Sequence, residues 1–282
     1  MKQMRYWCWL TFFLSTLTAL EGQNAGQGSA RGNAMGGLHT LFQDTNSLFG
    51  NAAGLAQLQK VSGISYAERR FWASPIHHFG VGVATPSQWG VFGLSLHRFG
   101  IEVFNEQKIA LRYARTINSG LSIGGQFDIL HFNIAEYGTI TSVAAAIGLQ
   151  TRIHETLRMG INIYSPNKVI LADNFVLPNI YQIGLAYTPS NKTFLALEAE
   201  KSIDAPLRIK AGLEYQTTAR FYMRLGVATS PTTTSFGISV LTSQGLQLDV
   251  SATHHPVLGI TPSIGVIFAS ASKESSLSNS EK

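Results

Sequence analysis

Ten charged side chains stand singly among apolar neighbours and are the residues best suited to do chemistry. Several fall on alternate positions, as Arg208 and Lys210 do, so on a β-strand they would point to one face. On the inner face of a closed sheet, such a set either lines a polar permeation path or pairs with itself around a filled interior, because buried charge must be compensated. We favour the paired arrangement, and the set is Arg112, Asp128, Arg158, Glu198, Arg208, Lys210, Glu214, Arg220, Arg224 and Asp249.

Catalytic patterns are missing from the sequence. It has no H-E-x-x-H or P-loop motif. Serine and histidine are frequent, but no spacing singles out a nucleophile with a base. We therefore predict no catalytic residues, no enzyme activity and no cofactor.

Six histidines could in principle hold a metal ion, because all fall near the ends of predicted strands on one side of the sheet. No carboxylate accompanies them in sequence, so polar rim residues are the preferred interpretation and we predict no metal site. The six are His77, His78, His97, His131, His254 and His255.

The elements that must position these residues are β-strands, because a period of two dominates from about residue 61 to residue 268. Leu246, Leu248 and Val250, for example, alternate with Gln247 and Asp249. Segments of about ten residues with one apolar and one polar face are typical of outer-membrane barrel strands. Fourteen such segments can be counted, centred near residues 65, 80, 94, 111, 126, 145, 160, 184, 196, 211, 223, 238, 249 and 264.

The connections and the composition agree with a barrel. Every second connection is a tight turn, at residues 85–88, 117–120, 153–156, 188–191, 217–218 and 242–245. Charged residues make up 13% of the chain, against about 25% in soluble domains. A soluble β-sandwich, the alternative, would carry more charge. The sequence therefore predicts an all-β fold, a membrane β-barrel of 14 antiparallel strands over residues 61–269 with a small N-terminal plug.

The N-terminus predicts export to the outer membrane of a Gram-negative bacterium. Lys2 and Arg5 precede an apolar stretch at residues 6–20, which is the layout of a signal peptide, although a membrane anchor is the alternative. We place the signal peptide at residues 1–22. The only cysteine, Cys8, lies within it, so the mature chain would have no thiol.

Two segments lack strand periodicity. Residues 23–60 are rich in glycine and alanine but too apolar for a free tail, so we interpret them as a plug or hatch packed inside or under the barrel. Residues 270–282 are rich in serine, lysine and glutamate and predict a disordered periplasmic tail.

The plug segment resembles the start of the FadL-type outer-membrane proteins, and within them the PorV and PorQ proteins associated with type IX secretion. The motif residues are Ala34, Met35, Gly36, Gly37, Asn51, Ala52, Ala53 and Gly54, with Ala52 where the family pattern has proline. The resemblance implies a hatch inside a fourteen-stranded barrel. It also implies one of two activities, uptake of hydrophobic compounds or service to a surface-export machinery.

Apolar residues in the predicted external loops favour the second activity. They are Phe71, Trp72, Val169, Ile170, Leu171, Phe175 and Val176, and exposed apolar patches often mark an interaction surface. The alternatives are a lid over the barrel mouth and anchoring in the membrane interface.

Two functions follow for the whole chain. We predict a partner subunit of an outer-membrane secretion or assembly complex, and the alternative is a hatch-gated passive transporter of hydrophobic small molecules. The expected partners are outer-membrane lipid, lipopolysaccharide and a protein of that complex. Nucleic acid is not expected, because the net charge of +5 is spread over scattered basic residues.

Overall fold

The computed structural model describes residues 28–269, apart from residues 137, 166–168, 173–174, 178 and 204. The predicted signal peptide and the predicted C-terminal tail lie outside the described residues. No helix in the described part of the chain is both long and apolar enough to cross a membrane.

Sixteen strands form two sheets within the described residues. The strands are β1 (Ser62–Arg69), β2 (His77–Ser87), β3 (Gly90–Gly100), β4 (Phe104–Asn118), β5 (Leu121–Ile134), β6 (Gly138–His154), β7 (Leu157–Tyr164), β8 (Val169–Ala172), β9 (Phe175–Leu177), β10 (Ile180–Ser190), β11 (Thr193–Ser202), β12 (Arg208–Thr218), β13 (Phe221–Ala228), β14 (Thr233–Leu241), β15 (Leu246–His255) and β16 (Gly259–Ala269).

Fourteen of these strands make one closed antiparallel barrel, so the predicted fold is confirmed. The first and last strands close it, with Ile64 opposite Ile267 and Ser62 opposite Ala269. Each predicted strand centre falls within one barrel strand. The remaining two strands, β8 and β9, pair only with each other and form a small hairpin in what the sequence presented as a long apolar loop.

Side chains alternate strictly between the two faces of the barrel wall. Along β3 the outward residues Phe92, Leu94 and Leu96 are exposed, whereas the inward Ser95 and His97 are buried. An outward band of large apolar side chains recurs on the other strands and suits contact with hydrocarbon. The core therefore lies inside the barrel, between the wall and the N-terminal segment.

Three short helices of that N-terminal segment fill the interior. Helix α1 (Ala30–Ala34) is followed by two 3₁₀ helices, Thr45–Phe49 and Ala52–Gln57. Each begins at a side chain that accepts a backbone N–H, namely Ser29, Asp44 and Asn51. These caps let a nearly uncharged segment keep a fixed shape in short turns.

The two faces of the wall should respond differently to the same new charge. Leu225→Arg places a guanidinium on the outward face and should cost about 2–4 kcal/mol of unfolding free energy, because the charge meets hydrocarbon. Gln247→Arg, on the inward side where Gln247 donates to Asp249, should cost less. Reversible unfolding from lipid vesicles measures both, and equal costs would contradict the assignment of faces.

Candidate functional site

The N-terminal plug is seated by close contact between its backbone and inward glycines of the wall. Gly212 faces Met35, and a Cβ added to this glycine would lie 2.7 Å from the Met35 Cβ. Gly226 faces the backbone of Met35 and Gly36, and Gly124 faces that of Ala52 and Ala53. The inward glycines therefore make the room that the plug occupies.

Polar side chains then fix the plug in register. Asn51 Nδ2 donates to the wall carbonyls of Leu149 and Ile161 at 3.2 and 3.0 Å, while its Oδ1 accepts from Ala53 N. Gln150 reaches inward and donates to the carbonyls of Thr40 and Phe42 at 2.8 and 2.9 Å. Asn51 belongs to the motif on which the family resemblance rests, and its side chain joins plug to wall.

A buried ion-pair network ties α1 to strands β12, β13 and β15. The Arg31 guanidinium donates to both Glu214 oxygens, at 2.8 and 2.6 Å, and also pairs with Asp44. Glu214 is shared with Arg224, which pairs in turn with Asp249 at 2.9 Å. Burial alone would lower the pKa of Arg31, but these carboxylates raise it, so the guanidinium stays charged.

A second network holds the stretch between the helices. Glu198 accepts from the backbone N–H groups of His39 and Thr40 and from Lys210 Nζ, at 3.1, 2.9 and 2.9 Å. Lys210 also pairs with Glu200 at 2.7 Å. Burial lowers the pKa of His39 to about 4, so its imidazole is neutral and adds no charge to this group.

The remaining predicted lumen charges have varied surroundings. Lys108 lies 3.9 Å from Asp128, which also accepts from Gln126. Arg112 donates to Ser95 at 2.6 Å, and Arg158 donates to Gln43 of the plug. Nine of the ten predicted lumen charges point inward. Arg220 is the exception, because it lies in the exposed turn between β12 and β13, one residue before β13 begins.

The sequence suggested that all six histidines are polar rim residues, but two of them lie elsewhere. His78 and His97 are buried inside the barrel and pack against one another, with ring centroids 5.7 Å apart, and His97 packs on Phe49 of the plug. Within the described residues, no three His, Cys, Asp or Glu side chains are grouped to hold a metal ion. These two imidazole rings therefore contribute aromatic packing inside the barrel.

An apolar cluster occupies the inner face of β5, β6, β7 and β10, towards the strand ends that lie away from the tight turns and are called the external ends here. Its members are buried and inward-facing: Leu130, Phe132, Ala144, Ala146, Tyr164 and Ile180. The backbone of β8 runs beside β6, the strand that carries Ala144 and Ala146 of the cluster. Charged side chains border the cluster, since Leu130 lies opposite Lys108 across β4 and β5 and the Lys108 ammonium lies 5.9 Å from the centroid of the Tyr164 ring.

The predicted external loop residues lie in two places. Phe71 packs edge-on against His255, and its N–H donates to Thr261, whereas Trp72 is exposed. Val169, Ile170 and Leu171 lie in β8, and Phe175 and Val176 lie in β9. No described contact brings the two groups together.

Neither a protein-family model nor a curated protein sequence matches the chain. Solved structures do match in fold. The toluene transporter TbuX of Ralstonia pickettii aligns with a TM-score of 0.67 at 10% identity, over 87% of this chain and 98% of that one. The monoaromatic hydrocarbon channel CymD aligns with a TM-score of 0.67 at 15% identity, over 88% and 99%. A FadL homologue of Pseudomonas aeruginosa aligns with a TM-score of 0.59 at 14% identity, over 87% and 97%.

The fold is that of the FadL-type outer-membrane barrels. The predicted role as a partner subunit of a secretion complex is wrong, because the similar structures are hydrocarbon transporters and channels. The sequence favours a docking surface for the apolar loop residues, and it does not reveal the cluster of apolar side chains inside the barrel.

The seating of the plug can be tested with two neighbouring glycines of β5. Gly124→Ala would place its Cβ 2.6 Å from the carbonyl carbon of Ala52, so the second 3₁₀ helix must shift, at a cost of about 1–3 kcal/mol. Gly125→Ala is the matched control, since a Cβ there meets nothing within 4 Å. Hydrogen exchange of plug amides should rise in the first variant only, and equal exchange in both would contradict the seating.

Proposed function

We propose that this chain is a hatch-gated passive transporter of hydrophobic small molecules across the outer membrane, with no enzymatic step. The observation that carries the proposal is a plugged fourteen-stranded barrel of the FadL type with an apolar inner cluster near its external mouth. The similar structures bear the names of toluene and monoaromatic hydrocarbon carriers. A monoaromatic hydrocarbon is therefore the solute class to test first.

The inner cluster suits the first contact with such a solute. Leu130, Phe132 and Ile180 present apolar surface on the inside of the wall, where most other inward residues are small or polar. Apolar area leaving water contributes roughly 25 cal/mol per Å², so an aromatic ring gains by moving onto this surface. The ion pairs of Arg31 and the hydrogen bonds of Glu198 hold the plug, which must shift for the solute to pass.

The narrower placement in the PorV and PorQ branch rests on the plug motif alone and stays a prediction. Export, the signal peptide and contact with lipopolysaccharide likewise stay predictions, as does a protein partner.

Uptake by whole cells tests the proposed function. A host lacking its own hydrocarbon channels should accumulate labelled toluene several-fold faster when it carries this barrel. Leu130→Gln should reduce that gain, because the amide removes apolar surface from the inner cluster. His131→Gln, which changes the next residue on the opposite face, is the control. Uptake no faster than in the empty host would overturn the proposal.

The β8–β9 hairpin gives a second test, because its position beside β6 suits a lid over the inner cluster. Replacing residues 168–178 with a short Gly-Ser turn should leave the barrel folded, with its heat-resistant electrophoretic mobility. It should also raise the rate of toluene uptake. An unchanged rate would contradict the lid.

A further inference from the structure

A small cavity lies on the external side of the plug, next to the charged networks, and the proposed transport of hydrocarbons makes no use of it. Its volume is about 110 Å³, which is room for several water molecules or one small ion. Asn33, Gly36, Gly37 and His39 of the plug line one side. The external ends of β1, β12, β14, β15 and β16, with the loops beside them, line the rest.

Two buried donors at this cavity have no partner among the described residues. The Nε of Arg208 makes no hydrogen bond there, and neither does the Thr233 hydroxyl, whose side chain is only 6% exposed. Within the described residues, no carboxylate lies at ion-pair distance from Arg208, although the nearby Lys210 has two. Arg208 is partly exposed, but its buried Nε and the Thr233 hydroxyl each lack an acceptor, and leaving a buried donor unpaired is costly. A ligand that supplies an acceptor would therefore be stabilised.

Two further donors face the same space. His255 Nδ1 accepts from the N–H groups of Val257 and Leu258 at 3.2 and 3.1 Å, so in the neutral ring the proton is on Nε2. The Thr261 hydroxyl accepts from Phe71 N at 3.0 Å, and its own hydrogen remains available to donate. Both residues line the cavity.

The one carboxylate that lines the cavity is already engaged. Glu68 accepts from Asn33 Nδ2 at 2.7 Å, from the Tyr66 hydroxyl at 2.5 Å and from Arg70 Nε at 3.2 Å. Its charge is balanced by Arg70. The cavity therefore has more hydrogen-bond donors than free acceptors, because the Glu68 carboxylate is already engaged.

We propose that this cavity binds a small free oxyanion, with Arg208 as the principal ligand and the Thr233 hydroxyl as a second donor. A guanidinium presents its N–H groups in a planar fork that matches phosphate and carboxylate oxygens. The volume suits a ligand of the size of inorganic phosphate or acetate. The position inside the barrel mouth favours a solute from the medium over a lipid headgroup.

Binding to the purified full-length barrel in detergent tests the site directly. Calorimetric titration with inorganic phosphate, and separately with acetate, should show one site per barrel. Arg208→Gln should weaken the binding at least tenfold, and Thr233→Val should weaken it several-fold. Arg208→Lys keeps the charge but loses the fork, so it should fall between wild type and Arg208→Gln.

The control is Arg220→Gln, which removes the same type of charge from an exposed turn and should bind phosphate as the wild type does. Heat-resistant mobility on gels confirms that each variant is folded. Failure of both anions to bind wild type, or wild-type affinity in Arg208→Gln, would overturn the site. This inference rests on a different measurement from the proposed function, because toluene uptake is measured without either anion. A failure to bind anions would therefore leave the transport proposal intact, and a failure of toluene uptake would leave the anion site intact.

Discussion

Closure of the sheet between β1 and β16 is the constraint from which the other features of this molecule follow. Hydrocarbon offers no hydrogen-bond partner, so a sheet in a membrane cannot leave an edge strand unpaired. The seven opposed residue pairs from Ser62–Ala269 to Glu68–Ser263 supply that closure. A closed wall of fourteen strands encloses a fixed volume, and that volume must hold water, solute or protein. Here the plug fills it.

Filling the barrel creates two demands that the sequence meets with opposite residue types. Backbone packed against backbone needs glycine, as at Gly212 and Gly226, because a Cβ there would occupy the space of Met35 and Gly36. Backbone removed from water needs hydrogen-bond partners, which Asn51, Gln150 and Glu198 provide. Glu198 brings a negative charge into the barrel interior when it accepts from the plug backbone, and Lys210 compensates that charge. This ion pair is thus a consequence of seating the plug.

The barrel could be predicted from the sequence because each of its signals is local. Alternation shows within one strand, as from Leu246 to Val250, and a turn such as residues 117–120 shows within four residues. The partners of the plug could not be predicted in this way. Arg31 and Glu214 are 183 residues apart, and their pairing depends on which strand α1 faces once the barrel has closed. Arg220 is an even-numbered residue like the inward residues of β12 and β13, yet it lies in the turn between these two strands. The hairpin of β8 and β9 could not be predicted either, since a short apolar run fits an exposed loop as well as a strand.

The different contacts that hold the two ends of the plug bear on how a plugged barrel can carry an apolar solute. An ion pair between buried partners is costly to break when one partner is left uncompensated. Arg31 cannot leave Glu214 without breaking two charge-assisted hydrogen bonds, so α1 is the most strongly held part of the plug. The second 3₁₀ helix, Ala52–Gln57, has no charged residue and is held by hydrogen bonds and glycine contacts at β5 and β6. These contacts break without separating charge. Movement of the plug should therefore begin at the second 3₁₀ helix, with α1 as its fixed end, and β5 and β6 also carry part of the apolar cluster.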